Sequence, residues 1–197
     1  MLFRSVKAYG HTGWREIDGQ WHFLHAGLTT PTVALSKDQE AYRLPTAPQA
    51  VSAAVRASLR LLDVTDEAVT YPLLAGMYAA PLGEVMPLDF TLWVHGPTGY
   101  GKSSLLSLFL SHYGEFNYDS LPCAWTSTHN ALERQLFALK DVPVVIDDYA
   151  PQNDAYAQAA LQRRVSEVLR SVGNGSGKAR LDRKSTRLNS SHSSVSR

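Results

Sequence analysis

Cysteine is almost missing from this chain: Cys123 is the only one in 197 residues. A disulfide framework and a Cys-based zinc site within one chain are therefore excluded. Long apolar runs are missing too, and nothing approaches the roughly 18 consecutive apolar residues that a spanning helix needs. From Met1 to His11 the apolar pieces are short and broken by charge. No secretory leader is expected, and a cytoplasmic protein without a membrane partner follows. Glycine and proline stay modest, at 13 and 10 residues, which excludes a collagen-like or wholly disordered chain. What is present is apolar mass: 44% of the residues are hydrophobic, enough for one well-packed core but short for two.

The formal charge of +1 hides an asymmetry. Residues 1–162 hold 10 Lys/Arg against 16 Asp/Glu, whereas residues 163–197 hold 9 against 2. A basic end of this kind fits phosphate on a nucleotide or on nucleic acid. Much of it, however, lies in RKSTRLNSSHSSVSR from Arg183, where Leu188 and Val195 are the only aliphatic residues. Such a stretch cannot repay the entropy of ordering its backbone. It also resembles translated sequencing-adapter DNA. Residues 183–197 are therefore expected to be a disordered tail of artefactual origin, and without them the balance is 15 basic to 18 acidic.

Residues 9–27 predict a β-hairpin turning at Asp18-Gly19, with Trp14 and Trp21 packing across it. His11, His22 and His25 lack a cysteine or clear acidic partner and read as ordinary histidines. Residues 28–48, with Pro31, Pro45 and Pro48, read as linker with short extended pieces. Val51, Val55, Leu59 and Leu62 fall at helical spacing. The apolar stretch 68–83 reads as about two helical turns bracketed by Pro72 and Pro81. It is buried against the next domain or forms a patch between subunits.

Specific chemistry begins at residue 90. FTLWVH (90–95) is a β-rich run feeding Gly96-Pro97-Thr98-Gly99-Tyr100-Gly101-Lys102-Ser103, which matches G-x-x-x-x-G-K-[ST]. SSLLSLFLSHYG then supplies the helix that the pattern requires, with Gly114 as its cap. The glycines let backbone N–H groups wrap a phosphate, and the helix start adds its positive end. Lys102 is placed to reach the β- and γ-phosphates of ATP, and Ser103 to ligate Mg²⁺. Further on, VPVVIDD (142–148) predicts a strand apolar on both faces, with Pro143 at its start and two acids at its end. Asp147 is assigned to the Mg²⁺ and Asp148 to the attacking water. Alternation along a strand separates the two acids, although a twist or turn at the strand end would permit the reverse assignment. Two carboxylates beside a triphosphate require the cation.

Between these motifs, Cys123 to Trp125 predicts a short strand and Thr128 to Lys140 a helix capped by Thr128. Glu133 and Arg134 read as surface charges and Cys123 as a buried small hydrophobe. The fold class is α/β: a P-loop NTPase-type sheet with an intervening strand between Walker A and Walker B, preceded by a small mixed N-terminal region. That extra strand favours the ring-forming and helicase side of the class. After it, a helix over about 155–172 carries Arg163, Arg164 and Arg170, and residues 173–181 form a basic glycine-rich loop. Four parts follow: a hairpin region and linker at 1–48, a helical connection at 49–86, a partial P-loop domain at 87–182, and the tail.

GHTGWREIDGQWHFLHAG, FTLWVHGPTGYGKSSL, LPCAWTSTHNALE, KDVPVVIDDYAP and LRSVGNGSGKARL together resemble the DUF927 family. The resemblance implies P-loop proteins related to superfamily 3 helicases, from phages and other mobile elements. It matches Gly96, Lys102 and Ser103 to Walker A, and Asp147 and Asp148 to Walker B. Thr128–Asn130, Arg170, Asn174 and Arg180 match family blocks without settled roles. Further sheet strands after Asp148 are implied, so the domain is expected to be incomplete at its C-terminal end. The expected function is ATP hydrolysis coupled to DNA unwinding or remodelling in mobile-element replication, in a ring-forming homo-oligomer. The alternatives are a nucleotide-dependent switch or packaging component, and a nucleotide-binding assembly module without catalysis.

Overall fold

The computed structural model describes residues 7–45 and 50–173. It divides into two compact units, Met1–Met86 with Leu92–Ala150, and Pro87–Thr91 with Pro151–Arg197. The N-terminal hairpin forms as its turn dipeptide predicts. Strands β2 (Gly13–Ile17) and β3 (Gln20–Leu24) pair antiparallel, with Trp14 opposite Phe23. Asp18 (φ 51°) and Gly19 (φ 79°) supply the two left-handed residues of a tight hairpin turn. The two tryptophans part company. Trp14 meets Phe23 edge-on at 5.1 Å and its indole N–H donates to the Pro81 carbonyl at 2.8 Å. Trp21 is 56% exposed and packs no core. One of the short extended pieces expected in 28–48 is β4 (Thr32–Val33), which pairs parallel with β1 (Ala8–Tyr9).

Helix α1 (Val51–Leu59) continues into a tight 3₁₀ turn at Arg60–Asp63. Helix α2 runs over Glu67–Ala79, longer than the two turns expected between Pro72 and Pro81. It starts earlier because the Asp66 carboxylate accepts from the Ala68 N–H at 2.8 Å and caps it. It then continues through Pro72, which removes one backbone hydrogen bond. Thr70, Leu73, Leu74 and Met77 form the buried face that offsets this loss. Helix α3 (Lys102–Leu110) buries Phe109 and Leu110 completely. The Tyr113 hydroxyl, in the turn just after α3, donates to the Met77 carbonyl at 2.6 Å and ties that turn to α2. At Gly114 the chain passes so close to the Ala41 carbonyl that a Cβ would collide with it.

Strands β5 (Cys123–Ala124) and β6 (Ile146–Asp147) pair parallel, Cys123 beside Ile146 and Ala124 beside Asp147. The Trp125 N–H donates to the Asp147 carbonyl at 2.9 Å and extends the contact by one residue. Helix α4 (His129–Ala138) connects them, capped by Thr128 as expected. Two strand expectations need correction. Residues 90–95 pair with no strand, and of 142–147 only the last two residues enter a ladder. Composition gives a strand its tendency, but only a partner satisfies its backbone, and these stretches find none among the described residues. The described fold is thus mixed α/β, with three sheets of two strands each.

In the second unit, helix α5 (Ala155–Gly173) carries Arg163, Arg164 and Arg170. The Asp154 carboxylate accepts from the Ala157 N–H at 2.7 Å at its start. Asn174, Arg180 and the 183–197 tail lie outside the described residues. Among the described residues, no helix is long and apolar enough to cross a membrane.

Candidate functional site

Of residues 96–103, Ser103 is the one hydrogen-bonded to the acidic strand end among the described residues. Gly99 (φ 86°) and Gly101 (φ 71°) take left-handed backbone, and Gly101 immediately precedes the first residue of α3. Nothing lies within 4 Å of a Cβ built at either position, so backbone conformation, not space, demands glycine there. The first amides of a helix have no partner within it. The Lys102 ammonium donates to the Gly96 and Pro97 carbonyls at 2.9 and 2.8 Å, closing the loop on itself. Pro97, Thr98 and Tyr100 are exposed.

The next residue makes the link. Ser103, in the first turn of α3, donates its hydroxyl to the Asp147 carboxylate at 2.6 Å, across 44 positions of sequence. That length is typical of a hydroxyl bonded to an ionised acceptor. A cleft of about 370 Å³ opens beside this pair, lined by Ser103, Tyr118, Asp119, Leu121, Cys123, Ala124, Asp147 and Asp148. Lys102 and the loop residues 96–101 do not line it.

Asp148 does not follow the alternation expected of a strand. β6 ends at Asp147, and Asp148 turns to φ 61°, a left-handed conformation that Asp tolerates better than most residues. Its carbonyl accepts from the Ala150 N–H at 3.0 Å. Both acids therefore line one cleft instead of opposite faces of a sheet. Asp147 is half-buried against Ser103, while Asp148 is exposed.

Cys123 borders the same cleft but is 2% exposed, and burial pushes its thiol up to about 12. It stays protonated at neutral pH and behaves as a small apolar wall. Behind the strand ends, Trp93, Trp125 and Tyr149 gather, with Trp93 and Tyr149 edge-to-face at 5.2 Å. Glu133 and Arg134 lie on the exposed side of α4, as expected of surface charges. Tyr118, Asp119 and Leu121 belong to no motif. A turn sequence between two elements carries no sign of which cleft it will border, so sequence reasoning passed over them.

A loop with left-handed glycines, the helix that follows it and a hydroxyl–carboxylate pair thus lie together in a mixed α/β fold. The model of a domain of unknown function, DUF927, matches residues 74–192, more than half the chain, and the chain belongs to that family. The span begins within α2, includes every residue of the site, and runs into the Ser-rich segment set aside above. The chain matches no curated protein sequence and no solved structure.

Proposed function

We propose that the chain binds a Mg²⁺-complexed nucleoside triphosphate, ATP by preference, through residues 96–103 and hydrolyses it. The single observation that supports this best is the 2.6 Å bond from Ser103 to Asp147. A hydroxyl at the start of the helix after a glycine loop, held to a carboxylate at the end of a parallel strand, is the donor set a phosphate-bound Mg²⁺ uses. Mg²⁺ keeps several waters and takes one or two protein oxygens together with phosphate oxygens. Among the described residues no group of three His, Cys, Asp or Glu side chains could hold a metal. A cation shared with phosphate needs no such cage.

Each residue then has a task. Gly96, Gly99 and Gly101 let the backbone amides face the phosphates. Lys102 leaves the Gly96 and Pro97 carbonyls, which are neutral acceptors, for a phosphate oxygen, a charged one. Ser103 and Asp147 hold the cation, which neutralises charge on the transferring phosphoryl group when bound. Asp148 faces the cleft from its left-handed turn and orients the attacking water. Coupling of turnover to DNA unwinding or remodelling, within a ring of chains, belongs to the same proposal and rests on the family resemblance. The partial P-loop domain at 87–182 is likewise proposed as the unit that carries the site.

Calorimetry with Mg·ATP tests the reading. Lys102→Ala should weaken binding about tenfold or more, the size of a lost bond to a charged group, and leave the circular dichroism unchanged. Unchanged affinity in a folded Lys102→Ala protein would overturn it.

A further inference from the structure

The cleft beside Ser103 and Asp147 has a second wall for which the motifs give no reason. The Ser120 N–H donates to the Asn117 carbonyl at 3.2 Å and closes a turn between α3 and β5. Tyr118 and Asp119 from this turn, and Leu121 just after it, line the cleft together with the strand ends. Tyr118 is 63% exposed, and Asp119 is exposed with no hydrogen bond or ion pair to any described residue. At about 370 Å³ the cleft falls in the range of small-ligand sites, about 300–1,000 Å³.

Three carboxylates thus border a cleft whose proposed ligand is a polyanion. Asp147 is accounted for by the cation it would share with Ser103, and Asp148 by the water. Asp119 stands outside the Ser103–Asp147 hydrogen bond to which the cation is assigned. Facing phosphate, it would repel it. A lone carboxylate accepts hydrogen bonds only, so its complement on a nucleotide is a hydroxyl or amino donor. The flat, exposed Tyr118 ring beside it offers a face on which a base stacks.

We propose that the 118–121 turn reads the nucleoside end of the ligand. Asp119 accepts hydrogen bonds from the ribose hydroxyls, and Tyr118 covers the base. This rests on the nucleotide reading above and adds the part of the ligand that phosphate recognition ignores. It makes the site selective for a ribonucleoside triphosphate over bare polyphosphate and over sugars without hydroxyls.

The test compares inorganic tripolyphosphate, ATP and 2′,3′-dideoxy-ATP by calorimetry with Mg²⁺ on the full chain. Asp119→Ala should weaken ATP about tenfold and leave tripolyphosphate unchanged, one charged hydrogen bond being lost. The unaltered chain should prefer ATP to its dideoxy analogue by a similar factor, which needs no variant to fold. Asp119→Asn, still an acceptor, should fall between. Equal loss for ATP and tripolyphosphate in Asp119→Ala, or no discrimination against the dideoxy sugar, overturns the assignment. If Lys102→Ala weakens both ligands while Asp119→Ala weakens neither, only this inference fails. If Lys102→Ala weakens neither ligand, the nucleotide reading fails with it.

Discussion

Two aspartates on one short segment, Asp141 and Asp148, share a backbone conformation and almost nothing else. Their φ values are 54° and 61°. Asp141 stands where the chain leaves α4 for β6, and its side chain is 3% exposed. Its carboxylate accepts from the Trp14 N–H at 3.0 Å and lies 3.5 Å from the Lys140 ammonium. Lys140 in turn meets Glu84 at 3.0 Å and donates to the Trp14 carbonyl at 3.1 Å. Thr12 completes the clamp, its N–H on the Ala138 carbonyl and its hydroxyl on that of Lys140, both at 2.8 Å. Asp148, seven positions later, leaves its carboxylate beside an open cleft. One end of the segment uses its polar groups to hold the hairpin, and the other leaves a carboxylate lining an open cleft. Residue type and backbone state do not decide between these roles; the surroundings do.

Glycine substitutions should break the clamp hardest. At Gly13 (φ 89°) a Cβ would lie 2.5 Å from the Lys140 carbonyl oxygen and 2.7 Å from the Asp141 carboxylate. Gly13→Ala combines a left-handed penalty with a clash against backbone, and should cost about 3 kcal/mol or more by urea unfolding. Gly99 (φ 86°) has the same conformation but open space around it. Gly99→Ala should cost only about 1–2 kcal/mol and act chiefly on nucleotide affinity. Equal destabilisation by the two would mean that the hairpin is not clamped as described.

The aspartates themselves sharpen the contrast. Replacing either by alanine removes a residue that tolerates left-handed backbone, so that cost cancels between the variants. Asp141→Ala also strands the Trp14 N–H and loosens Lys140, and should be about 2 kcal/mol less stable than Asp148→Ala. Activity should reverse the order. Asp148→Asn should keep Mg·ATP affinity and lose about 10²–10⁴-fold in turnover, the span of a general base. Robust Asp148→Asn turnover would remove it from the chemistry.

The sequence showed these two ends unequally. The hairpin was legible because Asp-Gly fixes its turn locally, and the left-handed turns of the 96–101 loop because glycine at 99 and 101 permits them locally. Thr128 announced α4 by the same local logic. The clamp was not legible, since Thr12, Trp14 and Asp141 are ordinary residues joined only by tertiary contact. The large sheet was over-read: apolar β-branched runs at 90–95 and 142–147 report tendency, while pairing depends on neighbours distant in sequence. The turn bearing Asp119 was invisible for a like reason.

Tyr42 reports on the middle of the same segment. It is 1% exposed, and its hydroxyl donates to the Pro143 carbonyl at 2.9 Å. Burial, first, with smaller contributions from Cys123 and Tyr113, raises its phenol well above the usual value of 10.0. The folded chain therefore holds this proton more tightly than the unfolded one. The stabilisation is complete below pH 10 and declines as pH rises from there towards the folded pKa. Tyr42→Phe should cost about 1 kcal/mol at neutral pH and flatten the alkaline loss measured by unfolding above pH 10. A loss of stability as steep in Tyr42→Phe as in the parent chain would assign it to other groups.

The smallest effect belongs at the acid side of the clamp. His11 precedes Thr12, and its Nδ1–H donates to the Thr12 carbonyl at 2.7 Å. Burial lowers its pKa below 6.5, with Lys140 and Arg15 acting in the same direction; the Thr12 bond and Asp141 oppose them. The unfolded chain thus takes up the proton first. The neutral ring stabilises the fold above about pH 6.5, and that contribution fades as pH falls through the lower folded value. His11→Gln should lower the dependence of unfolding midpoint on pH below about 6.5 while barely moving the midpoint at pH 8. Nucleotide affinity should not follow this titration, because the clamp and the cleft occupy opposite ends of the 141–148 segment. Affinity that falls with the midpoint over the same pH range in the parent chain, and stays level in His11→Gln, would show that the two ends are coupled after all.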